Sequence, residues 1–250
     1  MTDNDYNNYK ANLINKFIPF NKQYKIYENY YRKNILNYLP SDKNAKIIDL
    51  GCGLGHCLYF LKSNNYTNIS GIDLIKENVE FCTLNGFKVR QENIIKYIFS
   101  NNEKVDAFIL SNVLEHFSYP EIINIINSLY KFLNKNGRIV IIIPNCNNVY
   151  GLATYFSDIT HKSPLTEKSF EDLMLNTQIT KFSFKNLIVY PNVIFLDTVI
   201  KIYSKLIFNV RKINNLINGQ KPYKVQSKNL LVIIHKWKVR MFPAFRSTFQ

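Results

Sequence analysis

The stretch Lys46-Ile-Ile-Asp-Leu-Gly-Cys-Gly-Leu-Gly-His56 carries the reading of the whole chain. Its apolar run, Ile47, Ile48 and Leu50, is broken by Asp49 and stops on alternate glycines, Gly51, Gly53 and Gly55. An apolar run that ends in clustered glycines reads as a buried parallel strand entering a tight turn. Glycine serves where the backbone must take positive φ or let a ligand touch bare main chain. The segment that follows, His56-Cys-Leu-Tyr-Phe-Leu-Lys62, has the apolar density of a helix starting on the turn. Such a helix directs its free N–H groups and positive dipole end at the ligand, which suits a carboxylate or phosphate.

A dinucleotide fingerprint needs G-x-G-x-x-G. Here the third glycine would fall on His56, and the spacing is instead D-x-G-x-G-x-G. A second acid, Asp73, closes the next apolar run, Ile69-Ser-Gly-Ile-Asp73-Leu74, where a carboxylate accepts from both ribose hydroxyls. Together these segments resemble the first two motifs of the class I S-adenosylmethionine-dependent methyltransferases. The resemblance implies a Rossmann-like α/β fold: a seven-stranded, mostly parallel sheet with helices on both faces and an antiparallel last strand. It also implies S-adenosylmethionine as cofactor, S-adenosylhomocysteine as product, and Asp49, Gly51, Gly53, Gly55, Asp73 and Leu74 around them. Asp73 ends a strand and lies outside the expected core, so its removal is expected to spare the fold.

Taken in order, the chain begins with a helical cap over residues 1–40, its apolar positions Ile26, Tyr30, Tyr31, Ile35 and Leu39 at helical intervals before Pro40. Tyr24, Tyr27 and Tyr31 belong to the same packing. The remainder, 41–250, is the methyltransferase domain. Lys76–Leu84 reads as a helix and Phe87-Lys-Val-Arg90 as a third strand. Next comes Gln91-Glu92-Asn93-Ile94, where the family often places an acid against the adenine amino group; this chain has Asn93 there, beside Glu92 and Ile94. A fourth strand, Val105–Leu110, runs into Ser111-Asn-Val-Leu-Glu-His116, similar to the segment after strand four in small-molecule methyltransferases, with Ser111 at the cofactor.

Tyr119–Leu133 is amphipathic, with Asn136-Gly137 as its stop signal. Arg138–Ile143 is a buried strand. The loop from Asn145 to Thr166 contains Asp158-Ile-Thr160-His161, similar to a D-x-T-H segment in bacterial methyltransferases acting on sugars. Long loops at the ligand end of a sheet carry function. Thr166 caps a helix over Glu167–Leu175, Lys181–Tyr190 is a sixth strand, and Asn229–His235 is the seventh. Between the last two strands, residues 192–226 form a basic helical insert.

The net charge of +14 is uneven. Residues 181–250 hold thirteen Lys or Arg against one acid, or +12, and residues 1–180 hold nineteen against seventeen, or +2. A basic lobe favours an anionic partner: a small phosphorylated metabolite, nucleic acid, or an anionic membrane face. No window reaches the roughly eighteen apolar residues of a spanning helix. Cys52, Cys57, Cys82 and Cys146 show no CxxC pair, so no zinc site is expected and no metal ligand is assigned. Free thiols and an N-terminus without a charged-then-apolar pattern imply the cytoplasm, with the inner membrane face as the alternative location.

A sulfonium methyl is already electrophilic, so the protein chiefly holds a nucleophile in line with it. A hydroxyl acceptor also gains from a base. Of four histidines, His235 lies inside the last strand and His56 opens a helix. His116 and His161 fall on loops expected to face the acceptor, and they are the catalytic candidates together with Asp158. The reading is an O-methyltransferase for a small anionic metabolite, a nucleotide-linked sugar or phosphate-bearing precursor of a bacterial surface polysaccharide. Its alternatives are an RNA methyltransferase and a methyltransferase of a lipid-linked acceptor. An amino-methylating DNA enzyme is disfavoured, since Ser111-Asn-Val-Leu stands where the (N/D)PP(Y/F) motif would be.

Overall fold

The computed structural model describes residues 20–187 and 224–236, with isolated positions between 206 and 219. At its centre β1 (Ile47–Leu50) lies parallel between β2 (Ile69–Asp73) and β4 (Val105–Ser111) and is buried along its whole length. Beyond these lie β3 (Val89–Gln91), β5 (Leu133–Pro144), β6 (Phe182–Asn186) and β7 (Asn229–His235), giving the order β3-β2-β1-β4-β5-β7-β6. β3, β2, β1, β4 and β5 are mutually parallel, and β7 runs antiparallel to both β5 and β6. The seven-stranded sheet is the one expected.

Side chains alternate across the sheet, as a pleated strand requires. Ile48 and Leu50, Phe108 and Leu110, and Ile139, Ile141 and Ile143 enter one core. Ile47, Ala107, Ile109, Val140 and Ile142 enter the other. The central strands are therefore mostly apolar on both faces, because both faces are covered. The first core is filled from α4 (Ile94–Ser100), α5 (Tyr119–Phe132) and α7 (Glu167–Leu175). The second is covered by α1 (Phe20–Asn34) and α2 (His56–Ser63). Two further helices, α3 (Lys76–Leu84) and α6 (Val149–Phe156), lie after β2 and β5.

Several local expectations change. Ile26 is exposed, and the inward face of α1 and the turn after it is Tyr24, Tyr31, Ile35 and Leu39. The third strand is short and shifted to Val89–Gln91. α5 ends at Phe132, ahead of the expected stop, because Leu133 already takes extended backbone and joins β5. Asn136 (φ 67) and Gly137 bend the start of that strand, where a Cβ on Gly137 would lie 2.9 Å from the Asn134 carbonyl oxygen. The sequence reading has no helix at α4 or α6. Both begin on an Asn cap: Asn93 accepts from Ile95 N–H at 2.8 Å, and Asn148 from Tyr150 N–H at 2.9 Å.

Positions 1–19, 188–190 and 237–250 lie outside the described residues, as do most of the expected insert at 192–226. Within that insert Leu206, Val210, Ile213 and Ile217 are helical and exposed. Among the described residues no helix is long and apolar enough to cross a membrane.

Candidate active site

The strand order turns round between β1 and β4, and the loops leaving their carboxyl ends splay apart there. A cavity of about 540 Å³ opens at that point. Gly51 and Gly53 line it from the turn after β1, Asp73 and Leu74 from β2, and Asn93 and Ile94 from the start of α4. Ser111, Asn112 and Val113 line it from β4. The far end is formed by His116, Phe117, Ile159, Thr160 and Lys162.

The glycine turn divides its labour. Gly51 (φ 73) packs against the β4 side, since a Cβ there would lie 2.6 Å from Val113 Cγ2. Gly53 (φ 52) lines the cavity and has no neighbour within 4 Å of a Cβ position, so its missing side chain is open ligand space. Gly55 does not line the cavity; its Cβ would meet Cys82 Sγ at 3.0 Å, and it serves to start α2. Asp73 fixes the turn from below. Its Oδ2 accepts from Gly53 N–H at 2.7 Å, and its Oδ1 from Ile75 N–H at 2.9 Å and Asn78 Nδ2 at 3.0 Å.

Asp49 sits elsewhere. By the alternation of β1 it shares the face of Ile47, beneath α1 and α2, and it does not line the cavity. It is fully buried, its Oδ2 has no hydrogen-bond partner, and burial, followed by the Asp73 charge, pushes its pKa up to about 8. Asp49 is a buried carboxyl below the turn, outside the cavity lining.

α1 reaches the same region without entering the cavity. Tyr24 Oη donates to the Leu54 carbonyl at 2.9 Å, and Tyr31 Oη donates to Ser111 Oγ at 3.3 Å. His56 packs tilted against Tyr27 with ring centroids 4.2 Å apart and lines the cavity, while burial lowers its pKa to about 4. Arg32 turns outward to Glu28.

The loop after β5 is stitched onto the segment after β4. The Glu115 carbonyl accepts from Lys162 N–H at 2.8 Å and Ser163 N–H at 3.2 Å, and Ser163 Oγ donates to the Phe117 carbonyl at 2.7 Å. These bonds bring His116 and His161, far apart in sequence, to a ring separation of 4.7 Å. Thr160 Oγ1 donates to Asp158 Oδ1 at 2.5 Å, so its oxygen accepts from His116 Nδ1–H at 2.9 Å. That assigns the His116 lone pair to Nε2. His161 donates from Nδ1 to the Tyr155 carbonyl at 2.7 Å, and its Nε2 lies 4.0 Å from Glu115 Oε1 and 3.9 Å from Asp158 Oδ2.

Of the three catalytic candidates, then, only His116 lines the cavity. His161 and Asp158 stand behind it, with side chains 7% and 11% exposed. Glu115, Thr160 and Lys162 were not singled out from the sequence, although each lies inside a quoted segment. The signal present in the sequence was an acid directly after two apolar residues, Val113-Leu-Glu115, which the structure buries.

Residues 22–181 match the family model described as a methyltransferase domain. Comparison with curated proteins finds no match. Among solved structures, a SAM-dependent methyltransferase from Archaeoglobus fulgidus superposes with TM-score 0.64 at 19% identity, over 85% of this chain and 94% of that one. One from Thermotoga maritima, described as a possible histamine N-methyltransferase, superposes with TM-score 0.58 at 13% identity, over 94% and 97%. The plantazolicin methyltransferase BpumL in complex with SAH gives TM-score 0.54 at 18% identity, over 87% and 84%. These likenesses share the fold.

Proposed function

The chain belongs to the methyltransferase-domain family, and from that premise we propose that it moves the methyl group of S-adenosylmethionine onto an oxygen of a small anionic acceptor. The observation that carries this is the single cavity running from Asp73 and Asn93 to His116 and Lys162. At its near end Asp73 presents a carboxylate for a ribose, and Gly53 leaves room for a ligand against bare backbone. At its far end Lys162 supplies a positive charge and His116 is the group placed to activate an acceptor hydroxyl. A volume of about 540 Å³ suits a cofactor with a small acceptor, or with the end of a longer one.

The step is an in-line displacement. Bound S-adenosylmethionine would supply an electrophilic methyl carbon: the acceptor oxygen would bond to it as the C–S bond broke, leaving the electron pair on the thioether product, and His116 would receive the acceptor proton. A nucleotide-linked sugar or phosphate-bearing sugar meets these requirements, and a role in surface-polysaccharide precursors rests on the likeness of the Asp158-Ile-Thr-His161 loop to sugar methyltransferases.

Labelled S-adenosylmethionine with a panel of nucleotide-linked and phosphorylated sugars tests the reading. Methyl incorporation into one of them, a raised KM in Lys162→Ala, and unchanged cofactor affinity in His116→Ala support it. Failure of calorimetry to detect S-adenosylmethionine binding overturns it. A lipid-linked acceptor at the inner membrane face is a second reading, favoured by Ile159, which lines the cavity and is 73% exposed. Transfer that requires vesicles would select it.

A further inference from the structure

Glu115, His116 and His161 each offer one ligand atom, and the three lie within 4.8 Å of one another. We propose that these residues form a site for a divalent first-row transition-metal cation at the acceptor end of the cavity. Two histidines and one carboxylate are a donor set that favours ions from manganese to zinc over magnesium and calcium.

The surroundings hold the ligands as a metal requires. A ligating histidine donates its other ring N–H to a carboxylate or a backbone carbonyl, which fixes its tautomer. His161 does this directly through the Tyr155 carbonyl, and His116 does it through Thr160 to Asp158. Both rings therefore carry their lone pairs on Nε2. Glu115 is 1% exposed and its Oε1 lies 4.0 Å from His161 Nε2, so one cation could be shared between them.

Bond lengths of roughly 2.0–2.2 Å put neighbouring donor atoms about 3–3.5 Å apart. Loading the site would draw the set together, chiefly by movement of His116, the ligand that lines the cavity. Three protein ligands leave a coordination position toward that cavity for an acceptor oxygen. There the cation would occupy the Nε2 lone pair of His116 and replace it as the activating group, acting as a Lewis acid on the hydroxyl, whose proton would pass to solvent. The binding site stands on its own geometry; only this role rests on the methyltransferase reading.

Titrating chelator-treated full-length protein with Co²⁺, read by visible absorption, and with Mn²⁺, read by electron paramagnetic resonance, tests the site. S-adenosylmethionine affinity is measured on the same samples as the folding control. The expected result is one cation per chain, bound at least tenfold more weakly in Glu115→Gln and His161→Gln with cofactor affinity within twofold of wild type. If a variant fails that control, His116→Gln decides in its place. No uptake by the wild type, or equal uptake by the variants, overturns the proposal. Uptake without any cofactor binding leaves the cation site standing and removes the methyltransferase reading instead.

Discussion

Gly53 N–H donates to Asp73 Oδ2 at 2.7 Å across twenty residues of sequence. The same carboxylate also accepts from Ile75 N–H and Asn78 Nδ2. Asp73 thus ties the glycine turn to the end of β2 and to the first turn of α3, and it is buried in doing so. The expectation that its loss would leave the fold untouched is revised by those bonds.

Asp73→Ala should weaken cofactor binding and lower the melting temperature of the cofactor-free protein. Buried donors left without acceptors cost about 1–3 kcal/mol each, and a hydrogen bond to a charged group contributes about 1.5–3 kcal/mol. Calorimetry and thermal unfolding read the two effects separately. A variant with wild-type melting would mean that water replaces the carboxylate in the turn.

Gly53→Val and Gly51→Ala should fail differently. A Cβ at position 53 has no protein atom within 4 Å, so beyond the roughly 1–2 kcal/mol of left-handed strain the branches of valine should reach into ligand space and abolish cofactor binding. Alanine at 51 drives a Cβ into Val113 and should depress stability first. Equal loss of stability in the two variants would contradict the division.

Asp49 makes the protein less stable as pH rises. Its pKa is raised to about 8 in the fold by burial and then by Asp73, against about 3.9 when unfolded. Below about 4 both states are protonated and nothing is lost; between about 4 and about 8 only the unfolded chain ionises. Stability relative to Asp49→Asn should fall across that window by up to about 1.4 kcal/mol per pH unit and level off above it. A constant difference in melting temperature from pH 4 to 8 would show Asp49 ionised in the fold.

His56 acts in the opposite direction. Burial lowers its pKa to about 4, and its Nε2 is buried without a hydrogen-bond partner. The unfolded chain takes up a proton near pH 6.5 and the folded one does not, so stability is lost as pH falls from about 6.5 to about 4. His56→Phe, which keeps a ring against Tyr24 and Tyr27, should be the less acid-sensitive protein in thermal unfolding across that range.

Much of the sheet was legible because its central strands are mostly apolar segments closed by Gly, Asp, Ser or Pro, a signal that survives without tertiary context. Lys76–Leu84, Glu167–Leu175 and Asn229–His235 fall at the expected boundaries, the second on its Thr166 cap. The glycine turn and Asp73 were legible for a related reason. A strand, a turn that tolerates only glycine and the next strand's closing acid are local features at fixed spacing. α4 and α6 were not legible, being helices of seven and eight residues whose apolar positions look like loop or strand.

What the sequence by itself determined is therefore the fold, with the glycine turn and Asp73 that line one end of the cavity. For the other end the sequence offered His116, His161 and Asp158, and tertiary structure decided that only His116 of the three lines the cavity. Asp49 and Gly55 share a motif with Gly51 and Gly53, yet strand alternation turns Asp49 under α1, and Gly55 is spent on starting α2. His161 meets Glu115 and His116 because two loops after neighbouring strands, β4 and β5, are bonded through the Glu115 and Phe117 carbonyls and through Thr160 to His116. Residue spacing carries no trace of those bonds, since a loop's path is set by the partners its backbone finds in space and not by any period in its sequence.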